Sequence, residues 1–214
     1  TSPLSGGALL GDRIRLSVLD DKDKSESIYV RSIATRSSSG SIPSIVRSLA
    51  NHLLANNFDM VLIETVGAGQ SEMRCAAVAN RIVVVEGPAR GDGIQAEKAG
   101  LLELADLIVV NKSDLDGADK VVNDLTMSLG LTDDMPPIIK TSNISGEGLD
   151  QLATMVTKLE ERTSSKRARN RQQILMAHEN IITSNPHFEV VLDRMSEEGL
   201  GIEDALRELS ERSS

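Results

Sequence analysis

Leu107-Ile108-Val109-Val110-Asn111-Lys112-Ser113-Asp114 is the stretch on which the fold turns. Its first four residues are apolar at every position, as in a strand covered on both faces, and a polar turn then ends it. Two other runs share the pattern, residues 60–63 (MVLI) and 82–85 (IVVV). Helix-length segments lie before the first of the three runs in chain order, before the third and after it, at residues 42–56, 94–104 and 118–129. In the first of them Ile42, Ile45, Val46, Leu49, Leu53 and Leu54 recur at helical spacing, and Pro43 is tolerated in the first turn. Residues 137–140 are a fourth candidate strand, followed by a helix from about Leu149, and residues 27–33 are a fifth. Strands alternating with helices predict an α/β fold, a mostly parallel sheet flanked by helices, with ligands at the carboxyl ends of the strands.

Composition narrows the function classes. With 214 residues, 40% hydrophobic and 26% charged, the chain can bury a core and is sized for one domain with an appendage. Tyr29, Phe58 and Phe188 are its only aromatic residues, which argues against stacking platforms for bases or sugars. A net charge of −9 argues against nucleic acid as a partner. The single cysteine, Cys75, excludes an internal disulfide framework and a Cys-rich zinc site, and suits a reducing, cytoplasmic setting. No apolar run is long enough to cross a membrane. His52, His178 and His187 are widely separated and read as structural or surface residues. Beyond Glu161 the basic residues Arg162, Lys166, Arg167, Arg169 and Arg171 read as a solvated helix or linker. The remainder, to residue 214, reads as helices broken at Asn185-Pro186 and at residues 199–201, a helical arm.

Three loops carry the chemistry. Asp114, in the polar turn after residues 107–110, can accept two hydrogen bonds, from the ring N–H and the exocyclic amino group of guanine. Adenine offers no matching pair of donors, so a carboxylate left unpaired discriminates against it. Asn111 would tie neighbouring loops together, and the stem of Lys112 would pack along the base plane. Taken alone the four residues could equally be an ordinary polar turn. The second loop, Thr141-Ser142-Asn143-Ile144-Ser145-Gly146-Glu147-Gly148-Leu149, also follows a strand and opens a helix. It can offer the Ser142 hydroxyl and backbone N–H groups near Asn143 to the guanine carbonyl, and the two loops together make a guanine pocket the preferred reading. The third, Glu64-Thr65-Val66-Gly67-Ala68-Gly69-Gln70, places a carboxylate at a strand end, where it can hold Mg²⁺ through waters. Gly67 would let a backbone N–H approach a γ-phosphate. Gln70 is not assigned as a general base.

Residues 64–72 (ETVGAGQSE), 111–114 (NKSD) and 2–13 (SPLSGGALLGDR) resemble the methylmalonyl-CoA mutase-associated GTPases, a family also described as transport-system ATPases or kinases. The resemblance runs to about Glu161. It implies a P-loop NTPase-like fold, GTP and Mg²⁺ as ligands, and a cobalamin-dependent acyl-CoA mutase as client, which GTP hydrolysis would help load or protect. It implies a possible homodimer as well. By the same resemblance Asp12 joins the Mg²⁺ shell with Glu64, Gly67 sits over the γ-phosphate, and Asp92, Gln95 and Lys98 form a switch that communicates with the mutase.

One departure matters. The phosphate cradle of such GTPases is a G-x-x-x-x-G-K-[ST] loop, and no Gly-Lys dipeptide occurs in these 214 residues. In the family that loop precedes the motif with which Thr1-Ser2-Pro3 begins, so the expectation is a truncated, partial GTPase domain over residues 1–162 and a helical extension over 163–214. Little hydrolysis is expected of this chain alone. The competing readings are a regulatory module that senses guanine nucleotide without hydrolysing it, and a transport-system ATPase or kinase, for which no H-R-D catalytic signature is present.

Overall fold

The computed structural model describes residues 28–33, 45–65, 75–88, 96–130 and 134–211, with the backbone alone at 96–99. In chain order the elements are α1 (Ile45–Ala55), β1 (Val83–Glu86), α2 (Ala96–Leu104), β2 (Leu107–Asn111), α3 (Ala118–Leu129) and β3 (Ile138–Thr141). They are followed by α4 (Leu149–Thr157), α5 (Thr163–Thr183), α6 (Phe188–Glu197) and α7 (Ile202–Glu211). Among the described residues the sheet is three-stranded in the order β1-β2-β3, and both pairings are parallel, with Val84 opposite Ile108 and Val109 opposite Ile139. Parallel neighbours need a crossover, which α2 and α3 supply.

Strand β2 is buried from Leu107 to Val110, as its unbroken apolar sequence predicts. Alternate side chains leave it on opposite faces. Ile108 and Val110 pack with Val84 of β1, Leu102 and Leu104 of α2, and Leu125 and Leu129 of α3. Leu107 and Val109 pack with Ile139 of β3 and with Leu152, Met155 and Val156 of α4. The result is a sheet between two helical layers, a P-loop NTPase-like α/β fold.

Two expected strands are not strands here. Residues 28–33 and 60–65 are irregular. Met60 and Leu62 are exposed, Leu62 by 80%, while Val61 and Ile63 are half-buried. That run is covered on one side only, and an unbroken apolar sequence cannot tell one covered face from two. Edge strand β1 shows the same, with Val85 exposed beside buried Val84.

The basic stretch departs from expectation at two of its five basic residues, Arg162 and Arg169. Arg169 is 2% exposed, and its Nη1 donates to Asp106 Oδ2 at 2.6 Å. Ser165 and Arg169 lie one helical turn apart on the buried face of α5, and the Ser165 hydroxyl donates to Asp106 Oδ1 at 2.7 Å. The same carboxylate accepts the backbone N–H groups of Ile82 at 2.9 Å and Arg162 at 3.1 Å. Arg169 Nη2 also donates to Glu161 Oε1 at 2.9 Å. Arg162 is half-buried, its guanidinium donating to the carbonyls of Ala105 and Asp134 and to the Asp134 carboxylate. Arg162 and Arg169 therefore anchor the start of α5, while Lys166, Arg167 and Arg171 are exposed as a solvated helix requires.

The chain divides into two compact units, Thr1–Arg169 and Asn170–Ser214. The second has its own small core, in which Val191, Ala205 and Leu209 pack with Ile182, Phe188, Met195 and Leu200. Buried Asn185 donates through Nδ2 to the Leu209 carbonyl at 2.9 Å, and Arg194 bonds both oxygens of Glu208.

Burial raises the pKa of Asp106, but its bonds with Arg169, Ser165, Arg162 and Ile82 outweigh this and hold it below the ordinary carboxylate value. Its contribution to stability is therefore fully present above the ordinary carboxylate range, and is lost as pH falls through the depressed folded value. Arg169→Ala removes the cation and leaves a buried charge, a loss of about 3–5 kcal/mol. Urea denaturation at neutral pH should show that loss, and acid titration of the variant should show unfolding beginning at higher pH than in the parent.

Candidate functional site

The carboxyl ends of β2 and β3 are in register, Asn111 opposite Thr141, so the loops that follow them leave the sheet side by side. Asn111 Oδ1 accepts the Lys112 N–H at 2.8 Å and the Thr141 hydroxyl at 3.3 Å. Lys112 then takes a left-handed backbone, φ 62°, an uncommon state for a residue with a side chain. The reversal carries the ladder one residue on, because the Ser113 N–H donates to the Thr141 carbonyl at 2.9 Å. It leaves Lys112 and Asp114 exposed at the sheet's edge.

Ser142 is fully buried and organises the second loop. Its hydroxyl oxygen accepts the N–H groups of Ile144 and Ser145 at 3.1 and 3.2 Å. The same hydroxyl donates to Asp114 Oδ1 at 2.5 Å, joining the two loops. The loop's internal bonds also use the N–H groups of Ser142, Gly146 and Glu147, which leaves those of Asn143 and Gly148 outside them. Asp114 keeps its second oxygen outside the Ser142 contact. A fixed acceptor thus stands on the first loop and, among the described residues, backbone donors outside the internal bonds stand on the second, the two kinds of group that a guanine edge and its carbonyl require.

Gly148 begins α4 with φ 70°, and a Cβ there would lie 2.0 Å from the Lys140 carbonyl oxygen. Only glycine fits so close to β3.

The structure brings Asn111, Lys112, Asp114, Ser142 and Asn143 into one cluster. Glu64 lies elsewhere in the first unit. It closes the segment 58–64, which with residues 28–33 and α1 lines a mainly apolar cavity of about 560 Å³. Asp12, Gly67, Asp92 and Gln95 lie outside the described residues, as does the side chain of Lys98. Among the described residues no group of three or more His, Cys, Asp or Glu side chains could hold a metal ion, and no helix is long and apolar enough to cross a membrane. Sequence reasoning missed Thr141 and the contact of Ser113 with Glu147 at 2.7 Å. The signal for the second was a lone acidic residue between Gly146 and Gly148.

A parallel α/β sheet with paired polar loops at its carboxyl edge is the nucleotide-binding arrangement of P-loop NTPase-like proteins. The chain belongs to the family of methylmalonyl Co-A mutase-associated GTPases (MeaB), whose sequence model it matches over residues 1–197. It is 40% identical over 159 residues to a protein of Pyrococcus horikoshii described as a GTPase, covering 71% of this chain and 49% of that one. It is 36% identical over 121 residues to the GTPase ArgK of Escherichia coli, covering 56% of this chain and 36% of ArgK. It is 34% identical over 163 residues to the mouse methylmalonic aciduria type A homolog, mitochondrial, covering 71% of this chain and 38% of the relative. The chain therefore spans about half the length, or less, of these curated relatives.

Gly148→Ala should destabilise the first unit by at least about 1–3 kcal/mol, the usual cost of a strained backbone, because the methyl group meets a strand carbonyl as well. Thermal denaturation should show the loss, with Gly146→Ala, which meets nothing within 4 Å, losing less.

Proposed function

We propose that this chain is the guanine-recognising part of a GTPase that serves a cobalamin-dependent acyl-CoA mutase, helping to load or protect it. The observation that carries the guanine assignment is the bond from Ser142 to Asp114, which fixes a carboxylate at the edge where a base would dock. The family supports GTP as substrate, and the mutase is supported by the family description and the name of the mouse relative.

Asp114 would accept the ring N–H and exocyclic amino group of guanine, its orientation set by Ser142. The Asn143 N–H would donate to the base carbonyl, while the Lys112 stem covers a ring face and Asn111 holds the turn beneath. In the full reaction water attacks the γ-phosphorus and GDP leaves with the bridging oxygen. Mg²⁺, when bound, neutralises charge on the phosphate oxygens, and Glu64 and Asp12 are the residues proposed to hold its shell. Gly67 is proposed to sense the γ-phosphate, and Asp92, Gln95 and Lys98 to pass its loss to the client. A homodimer is part of this reading.

Since these 214 residues contain no Gly-Lys dipeptide, a module that binds guanine nucleotide without hydrolysing it is the second reading. Binding without turnover by the 214-residue chain is expected on both readings and does not separate them. Fast Mg²⁺-dependent hydrolysis would exclude the second.

Asp114→Asn tests the pocket. The amide would place a donor against guanine's amino group, while xanthine carries a carbonyl oxygen there and can accept from it. The variant should lose affinity for GTP and gain it for xanthosine triphosphate. The relative swing should approach roughly 10⁴, the range seen where a site requires a particular hydrogen bond. Competition binding with GTP, ATP and xanthosine triphosphate measures this, and an unchanged preference would remove Asp114 from the site.

A further inference from the structure

We infer that Glu147 is a positioning residue for base recognition, a clamp that holds the Asn111–Asp114 turn against the Ser142–Gly148 loop through the hydroxyl of Ser113. The inference rests on the guanine reading above and deepens it.

Glu147 touches both loops. Its carbonyl accepts the Ser142 N–H at 3.0 Å, and its N–H donates to the Ser145 hydroxyl at 3.3 Å, so its main chain closes the second loop on itself. Its carboxylate leaves that loop, and Oε2 accepts the Ser113 hydroxyl at 2.7 Å. Ser113 stands between Lys112 and Asp114, the two residues proposed to face the base. Two bonds therefore join the turn to the loop through side chains on adjacent residues, Ser113 to Glu147 and Asp114 to Ser142.

The backbone around Glu147 explains why its side chain can do this. Gly146 and Gly148 both have left-handed backbones, φ 79° and 70°, so the chain reverses on either side of Glu147. Gly148 is in addition pressed against the Lys140 carbonyl, which ties this reversal to β3. The carboxylate is thereby presented from a fixed base to a turn 34 residues earlier in the chain.

Magnitudes separate this role from simple stabilisation. Glu147 is exposed, and exposed polar contacts add little to folding. Loss of the contact would leave the sheet and the Ser113 N–H bond to Thr141 intact but remove one of the two side-chain ties between the Ser113–Asp114 step and the second loop, leaving the Ser142 contact as the other. A carboxylate that must meet two donors at once loses affinity when its orientation is broadened. The effect should thus appear in binding rather than in folding.

The test uses the 214-residue chain and its Glu147→Ala, Glu147→Gln and Ser113→Ala variants, with Asp114→Asn as the control for the pocket. GDP, titrated to millimolar concentration, is the probe, read by amide chemical shifts of residues 111–115 and 142–148. Glu147→Ala and Ser113→Ala should each weaken GDP by about tenfold, and the double variant should be no weaker than either alone, because both remove one contact. Glu147→Gln keeps an acceptor oxygen and should recover most of the affinity, while thermal midpoints stay close to the parent's. Parent-like GDP affinity in both alanine variants, with Asp114→Asn impaired, overturns the clamp and leaves the guanine pocket standing. No GDP binding by the parent, or an Asp114→Asn variant that binds like it, overturns both.

Discussion

The Asp106 carboxylate, buried where β2 begins, sets the terms for the first unit. A buried charge is tolerated only when its oxygens are bonded and a counter-charge is near. Here those partners come from the segment entering β1, from the residues before α5 and from α5 itself: Ile82, Arg162, Ser165 and Arg169. Because the carboxylate needs all of them, segments far apart in sequence are drawn to one end of the central strand. Among the described residues the Nε of Arg169 is buried there without a hydrogen-bond partner, so within them the cluster is not fully satisfied.

Fixing the entrance of β2 also fixes its exit. The strand is buried along its length and spans only Leu107–Asn111, so it has little freedom to slide or rotate. Its last residue is opposite Thr141, and the turn and loop beyond that pair are joined by hydroxyl-to-carboxylate bonds. The division of labour is physical. Buried groups such as Ser142 hold geometry, and exposed ones such as Asp114 and Lys112 remain available to a ligand.

Much of this was legible beforehand. Helix α3 falls on the helix-length segment 118–129, and β2 follows its apolar run. The breaks at Asn185-Pro186 and 199–201 separate α5, α6 and α7. Asn111, Lys112, Asp114 and Ser142 could be placed at the sheet's carboxyl edge because each ends a strand or lies in the turn that follows one, where an α/β fold puts its loops. Residues 28–33 and 60–63 were misread because strand character depends on pairing with a neighbour, which composition does not encode.

By itself the sequence determined the alternation of strands and helices, the two polar loops and the family, since these depend on residue type and local spacing. Only the tertiary structure decided that Arg169 is buried and not solvated, and that Ser113 reaches Glu147. A basic residue on a helix has the same local signature in either environment. What separates the two is a carboxylate brought from 63 residues away, a partnership that exists only once the chain has folded.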